Sequence, residues 1–299
     1  TLDRSSAASD VYKRQSQNQF KITVKDGTMI EVKIEKAKKK TIGIVHLFHG
    51  MAEHMDRYNE LVEALNIQGY DVLRHNHRGH GKDIDEKERG HFDDMLQIAD
   101  DAYEIVDIIY GTQFNMPYIV LGHSMGSIIA RLFVERYHKF AQGLILTGTG
   151  MFPKRKGVPA TIALKMITTV LGKRSRVRWV NNLVNQSFNK RIDHPKTESD
   201  WISTRRDEVE KFVEDDYCGF RVSNQLIYQT VKYMMQTTKR KNLDKLNKNL
   251  PILLVSGKED PFGDYGKGIK QLGKLYKKSG IKHITVPVSY THLRAHETL

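Results

Sequence analysis

The chain has 299 residues, 39% hydrophobic and 28% charged, enough for one large α/β domain or two small ones around a real core. No run approaches the roughly 20 apolar residues of a membrane-spanning helix and no apolar signal region opens the chain, so this globular composition points by default to the cytoplasm. The formal charge of +13 favours anionic surfaces, but the lack of zinc-finger spacing, a helix-turn-helix pattern or basic runs interleaved with stacking aromatics argues against nucleic acid, and a single cysteine, Cys218, excludes an internal disulfide.

Thr1 to Gln15 has no apolar period, and Pro287 to Leu299 leaves a strand pattern abruptly at a proline; both read as foreign to the fold and resemble translated adaptor sequence. Phe20 to Val24 and Met29 to Ile34 alternate apolar and polar residues and are joined through Asp26-Gly27, a dipeptide that favours a tight hairpin. Ile42 to Phe48 is a short apolar run ending in His49-Gly50, Tyr58 to Gln68 has helical spacing, and Tyr70 to Arg74 is strand-like, a βαβ rhythm. The rhythm continues through a helix over about Phe92 to Tyr110, a buried-type strand Tyr118 to Leu121, a helix over about Ser127 to His138 and the strand Gly143 to Thr147. Parallel strands with crossover helices are implied.

From about Thr149 to Asn249 the alternation gives way to helical, basic sequence; strand character returns at Pro251 to Ser256, followed by a helix and Ile284 to Val286. The expected organisation is an α/β core over 16–148 and 250–286, a helical cap over 149–249, and non-native ends at 1–15 and 287–299. Within the cap, Val158 to Leu171 carries Ile162, Leu164, Met166, Ile167, Val170 and Leu171 between Lys154-Arg155-Lys156 and Lys173, Arg174, Arg176 and Arg178, the pattern of a helix lying at a membrane interface. A cap helix packed on the core with solvated flanks accounts for the same residues and is preferred over peripheral membrane contact.

Gly122-His123-Ser124-Met125-Gly126 follows the strand at Tyr118 to Leu121 and precedes a helix, which places a serine at a strand-to-helix junction, the context of a nucleophile elbow. So sharp a turn strains the backbone at Ser124, and small residues two before and two after tolerate it. At average Gly and Ser usage the pattern arises by accident about 0.1 times in such a chain, so an ordinary Gly/Ser loop is the poorer reading. A tetrahedral oxyanion needs two backbone N–H donors: one is expected from Met125, after the nucleophile, and the second from Met51, where His49-Gly50-Met51 leaves its strand.

Three blocks stand in order: His49-Gly50-Met51-Ala52-Glu53-His54 with Arg57-Tyr58, then His77-Arg78-Gly79-His80-Gly81, then Gly122 to Gly126. Together they resemble the monoacylglycerol lipase and lysophospholipase family, over about Phe20 to Val286 and including Trp201-Ile-Ser-Thr-Arg205. The resemblance implies an α/β-hydrolase core with a helical cap, no cofactor, and hydrolysis of monoacylglycerols, lysophospholipids or related esters. It also implies that His49, Gly50 and His123 border the substrate, and that the His77 to Gly81 block braces the neighbouring loop rather than reacting. Asn76 departs from the family, which usually has Asp there, and leaves the mechanism standing. No His/Cys/carboxylate spacing of closed geometry appears, so no metal site is expected.

The triad acid is expected after the next-to-last strand, where Asp260 fits, with Glu259 and Asp264 the solvated alternatives. The family's general base follows the last strand, just before a Glu. His296-Glu297 stands near that place, with His292 a second candidate, but both fall in the segment that reads as foreign, and coincidence is the preferred explanation. His283 precedes the last strand and is expected too far below the site. The rival reading is a non-catalytic or C-terminally truncated member that binds ligand without turnover; a working histidine separates the two.

Overall fold

The computed structural model describes residues 18–111 and 115–289. An antiparallel hairpin comes first: β1 (Gln19–Thr23) and β2 (Met29–Glu35) pair with Phe20 opposite Val32 and Ile22 opposite Ile30. Gly27 turns between them at φ 87°, a conformation open to a residue without Cβ. Then β3 (Gly43–Phe48), α1 (Asn59–Gln68), β4 (Tyr70–His75), α2 (Met95–Tyr110), β5 (Tyr118–His123), α3 (Met125–Arg136) and β6 (Gly143–Thr147) alternate. Next come five helices, α4 (Lys154–Leu171), α5 (Arg178–Asn189), α6 (Arg206–Glu214), α7 (Asn224–Gln236) and the single turn α8 (Arg240–Leu243). The chain returns through β7 (Ile252–Gly257), α9 (Lys267–Lys278), β8 (Ile284–Thr285) and β9 (Val288–Ser289).

The sheet runs β1-β2-β4-β3-β5-β6-β7-β8, antiparallel at β1, β2 and β4 and parallel from β4 to β8. All six residues of β3 are buried, as a central strand covered on both faces requires. Its alternate side chains serve two cores: Ile44 and Phe48 join α2, α3 and the insertion, whereas Val45 and Leu47 meet Tyr58, Val62 and Val72 beneath α1. In α2, Met95, Ile98, Ala99, Ala102, Ile105, Val106 and Ile109 recur at helical spacing and are buried, and the Asp94 carboxylate accepts from the Leu96 amide at 3.0 Å to cap the helix. Each fully buried branched residue contributes roughly 1.5–3 kcal/mol.

Two features differ from the sequence expectation. The sheet does not stop at Val286: Val288 and Ser289 pair in parallel with Ser256 and Gly257, because the ladder resumes once Pro287, which has no N–H, is passed. Helix α4 packs only partly. Leu164, Ile167 and Thr168 turn inward, while Val158, Ile162, Met166 and Val170, four residues apart, are 48–78% exposed. Trp179 and Leu183 on α5 are exposed as well. No described helix is long and apolar enough to cross a membrane.

Candidate active site

Ser124 stands between β5 and α3 with φ 51° and ψ −118°, a left-handed conformation that a residue with a Cβ adopts only under constraint. The constraint is visible: its N–H donates to Thr147 O at 3.0 Å, and its carbonyl accepts from Ser127 N at 3.0 Å and Ser127 Oγ at 2.6 Å. The flanking glycines follow from packing. A Cβ on Gly122 would lie 2.5 Å from Gly126 O, and one on Gly126 would lie 2.1 Å from Phe48 O. The second contact presses the start of α3 against the end of β3 and so brings the loop after β3 to Ser124.

In that loop, a Cβ on Gly50 would sit 3.3 Å from Ser124 Cβ. Gly50 N–H donates to Glu53 Oε1, and Ala52 N–H donates to His80 Nε2 at 3.2 Å, with Ala52 itself at φ 54°. Between them, the Met51 amide has no hydrogen-bond partner among the described residues, and neither has the Met125 amide at the first position of α3. Two undonated N–H groups thus flank the serine, one of them at a helix N-terminus, where the peptide dipoles favour negative charge. Glu53 fixes the loop from below: buried, it accepts from Gly50 N–H, from Tyr58 Oη at 2.6 Å and from Arg57 Nε at 3.2 Å.

The His77 to Gly81 block lies behind this loop and braces it. His77 Nε2 faces the His49 carbonyl at 3.1 Å, and His77 N–H donates to His49 Nε2 at 3.0 Å. Because a carbonyl only accepts, His77 carries its proton on Nε2, and the remaining protons follow. His75 Nε2 donates to His77 Nδ1 at 3.1 Å, His46 Nε2 donates to His75 Nδ1 at 2.9 Å, and Tyr118 Oη donates to His46 Nδ1 at 2.6 Å. Burial drives these rings neutral: His46 is pushed down to about 3 and His80 to about 4, with His49, His75 and His77 held well below the usual imidazole range.

Two of the residues expected to border the substrate, His49 and His123, have buried rings. The His49 ring is fully buried, donating from Nδ1 to Gly50 O at 2.8 Å, and the buried His123 ring lies 2.9 Å from Thr147 Oγ1. These bonds tie both rings to the scaffold, and Gly50 lies beside Ser124. Asn76 accepts from Met55 N–H at 2.9 Å and donates from Nδ2 to Glu31 Oε2 at 2.6 Å. The second bond needs an amide, so the departure from aspartate is matched by a carboxylate opposite it.

Asp260 follows β7 and is fully buried, accepting from Phe262 N–H at 2.9 Å and Ser256 Oγ at 3.1 Å, while Glu259 and Asp264 are partly exposed. The loop closes through consecutive positive φ values at Asp264, Tyr265 and Gly266. A Cβ on Gly263 would lie 3.3 Å from both Asp260 Oδ2 and Thr149 O, and because the one Ser127 hydroxyl proton goes to Ser124 O, Thr149 Oγ1 donates to Ser127 Oγ at 2.8 Å. The acid loop therefore rests on the segment that also holds the elbow. His283 is at the opposite end of β7, its carbonyl accepting from Ile252 N–H at 2.8 Å. His292 and His296 lie outside the described residues.

The family described as serine aminopeptidase, S33, matches residues 39–299. The chain belongs to this family. It is 33% identical over 141 residues to a monoacylglycerol lipase of Mycolicibacterium smegmatis, covering 47% of this chain and 49% of that one. It is 34% identical over 109 residues to a probable lysophospholipase L2 of Haemophilus influenzae, covering 34% and 33%. The chain thus spans about half the length of the curated relatives it matches, or less. A thermostable carboxyl esterase of Bacillus coagulans, solved with glycerol, superimposes with a TM-score of 0.81 at 28% identity, over 92% of this chain and 90% of that one. The fold is that of the α/β-hydrolases.

In this family member the helical insertion lies over the loop after β3, where Gly219 N–H donates to Ala52 O at 2.9 Å. A small cavity of about 80 Å³ opens there, bordered by Met51, Val184, Trp201, Phe212, Phe220 and Ile227. Its lining comes from segments some 150 residues apart, so no sequence window contained it. Glu53 was legible only as one letter of a block; a buried carboxylate three residues beyond a turn glycine, with Arg57 and Tyr58 following, is the signal that marks it.

Proposed function

We propose that this protein hydrolyses lipid-like carboxylic esters, of monoacylglycerol or lysophospholipid type, through an acyl-enzyme formed on Ser124. The observation that carries the proposal is the pairing of a strained serine at φ 51° with the two undonated amides of Met51 and Met125. In the reaction, Ser124 Oγ passes its proton to a histidine and attacks the ester carbonyl, the Met51 and Met125 amides hold the oxyanion, the C–O bond breaks as the histidine returns the proton to the departing alcohol, and a water activated by the same histidine then releases the acid and frees Ser124. Asp260 orients that histidine and stabilises its charged form; His296 is the candidate base. No step calls for a metal or a cofactor.

In the mixed lining of the cavity beside Met51, Trp201, Phe212, Phe220 and Ile227 give an acyl chain apolar contact next to the polar Asn181, Glu198 and Arg221, and the names of the relatives support a lipid ester. The exposed stripe on α4, with Trp179 and Leu183 beside it and Lys154, Arg155, Lys156, Lys173 and Arg174 around it, supports a further step. The insertion rests on an anionic membrane surface, from which such a substrate would be drawn.

Incubation with a fluorophosphonate probe, and turnover of a monoacylglycerol, a lysophospholipid and an aminoacyl anilide, test the reading. Ser124→Ala should abolish labelling and lower ester turnover by roughly four orders of magnitude or more. If His296 is the base, His296→Ala should do the same to turnover and His292→Ala should not, whereas a parent chain that is labelled slowly and does not turn over would favour the non-catalytic reading. Undiminished labelling of Ser124→Ala would remove the nucleophile, and preferential cleavage of the anilide would move the function to peptide hydrolysis.

A further inference from the structure

The loop that carries Met51 runs on to His54, and there the insertion meets it with two residues of a different chemistry. His54 Nε2 lies 2.8 Å from Asp215 Oδ2, and Cys218 completes the group: an imidazole nitrogen, a carboxylate oxygen and a sulfur, all within 4.8 Å of one another. His54 and Cys218 are buried and Asp215 is partly so. We propose that His54, Asp215 and Cys218 form a binding site for a zinc-class divalent cation that ties the loop after β3 to the helical insertion.

The donor set selects the ion. Oxygen ligands alone suit magnesium or calcium, whereas sulfur with imidazole and one carboxylate suits zinc, and three protein ligands leave a fourth position for water. Zinc bonds of about 2.0–2.3 Å set tetrahedral ligand atoms roughly 3.5 Å apart, within reach of the observed spacing by small side-chain rotations. The turn is already built: Cys218 N–H donates to Asp215 O and Tyr217 N–H to Asp215 Oδ1, both at 2.9 Å, which leaves Oδ2 facing His54. The main loss is a long bond, since zinc on Nε2 moves the ring proton to Nδ1, which now accepts from Asp56 N–H at 3.3 Å.

Charge closes as well. A thiolate and a carboxylate balance a dication, and the Arg57 guanidinium next to Cys218 is neutralised by Glu53 at 3.2 Å. Burial holds the Cys218 thiol protonated, and coordination would release that proton, as metal binding to cysteine does generally. Linear spacing hid the group, because 161 residues separate His54 from Asp215. The inference does not depend on which reaction Ser124 performs.

Cobalt(II) added to the full chain provides the test, because sulfur-to-cobalt charge transfer reports thiolate ligation and the chain has one cysteine to supply it. A near-ultraviolet charge-transfer band with tetrahedral-type visible bands is expected, displaced by zinc and absent in Cys218→Ser. Asp215→Asn, a change at a partly exposed position, should keep the fold and weaken cobalt binding at least roughly tenfold. Zinc should raise the melting temperature of the parent protein and leave that of folded Cys218→Ser unmoved. Absence of the charge-transfer band, or binding unaltered in Asp215→Asn, would overturn the site.

Discussion

Glu53 accepts hydrogen bonds from three donors on three residues, one of them the amide that precedes Met51. Replacing it with glutamine keeps the size but turns one acceptor oxygen into an NH₂ group, so a donor must face Gly50 N–H, Tyr58 Oη or Arg57. The loop then loses its fixed orientation, and the cost falls on the transition state, where the Met51 amide is needed. Glu53→Gln should lower kcat roughly 10²-fold, the scale of losing one oxyanion donor, with a much smaller change in KM. Steady-state kinetics on a p-nitrophenyl ester checks this; an unchanged kcat would release Glu53 from any role in positioning. At the same scale, the +51° φ of Ser124 is bought by the two glycines, because any side chain at Gly126 would collide with the Phe48 carbonyl.

At the scale of elements, α4 has two faces with different partners. Leu164 and Ile167 pack inward, and Gly157 lets α7 approach so closely that a Cβ there would lie 2.1 Å from Met235 Sδ. The outward stripe of Val158, Ile162, Met166 and Val170 gains nothing from water. If the stripe meets lipid, Ile162→Ser with Met166→Ser and Val170→Ser should weaken sedimentation with anionic vesicles at least tenfold, since each side chain withdraws apolar area worth about 25 cal/mol per Å². Hydrolysis of a water-soluble short-chain ester should hold steady, because none of the three lines the cavity beside Met51. Equal sedimentation of parent and variant would remove the membrane contact.

Across the whole molecule, His46, His49, His75, His77 and His80 are held neutral in one connected region between β3 and β4. Their folded pKa values lie below the ordinary 6.5, down to about 3 for His46 and about 4 for His80. Between those values and 6.5 the unfolded chain binds more protons than the folded one, so the stability these rings contribute is fully present above pH 6.5 and is lost as pH falls through about 4 for His80 and about 3 for His46. Each ring contributes a slope of up to roughly 1.4 kcal/mol per pH unit. Urea unfolding across that window should show the uptake of several protons, and a flat profile would contradict the neutral histidine network. The strand-helix alternation, the hairpin and the fold class were legible because local periodicity and turn chemistry act over a few residues, and the three motif blocks were legible because backbone geometry dictates their glycines. The burial of the His49 and His123 rings, the outward turn of half of α4, the extension of the sheet to Ser289 and the meeting of His54 with Asp215 and Cys218 were not. Those depend on burial and on contacts between segments up to 161 residues apart, and such contacts exist only once the sheet has set the chain's register in space.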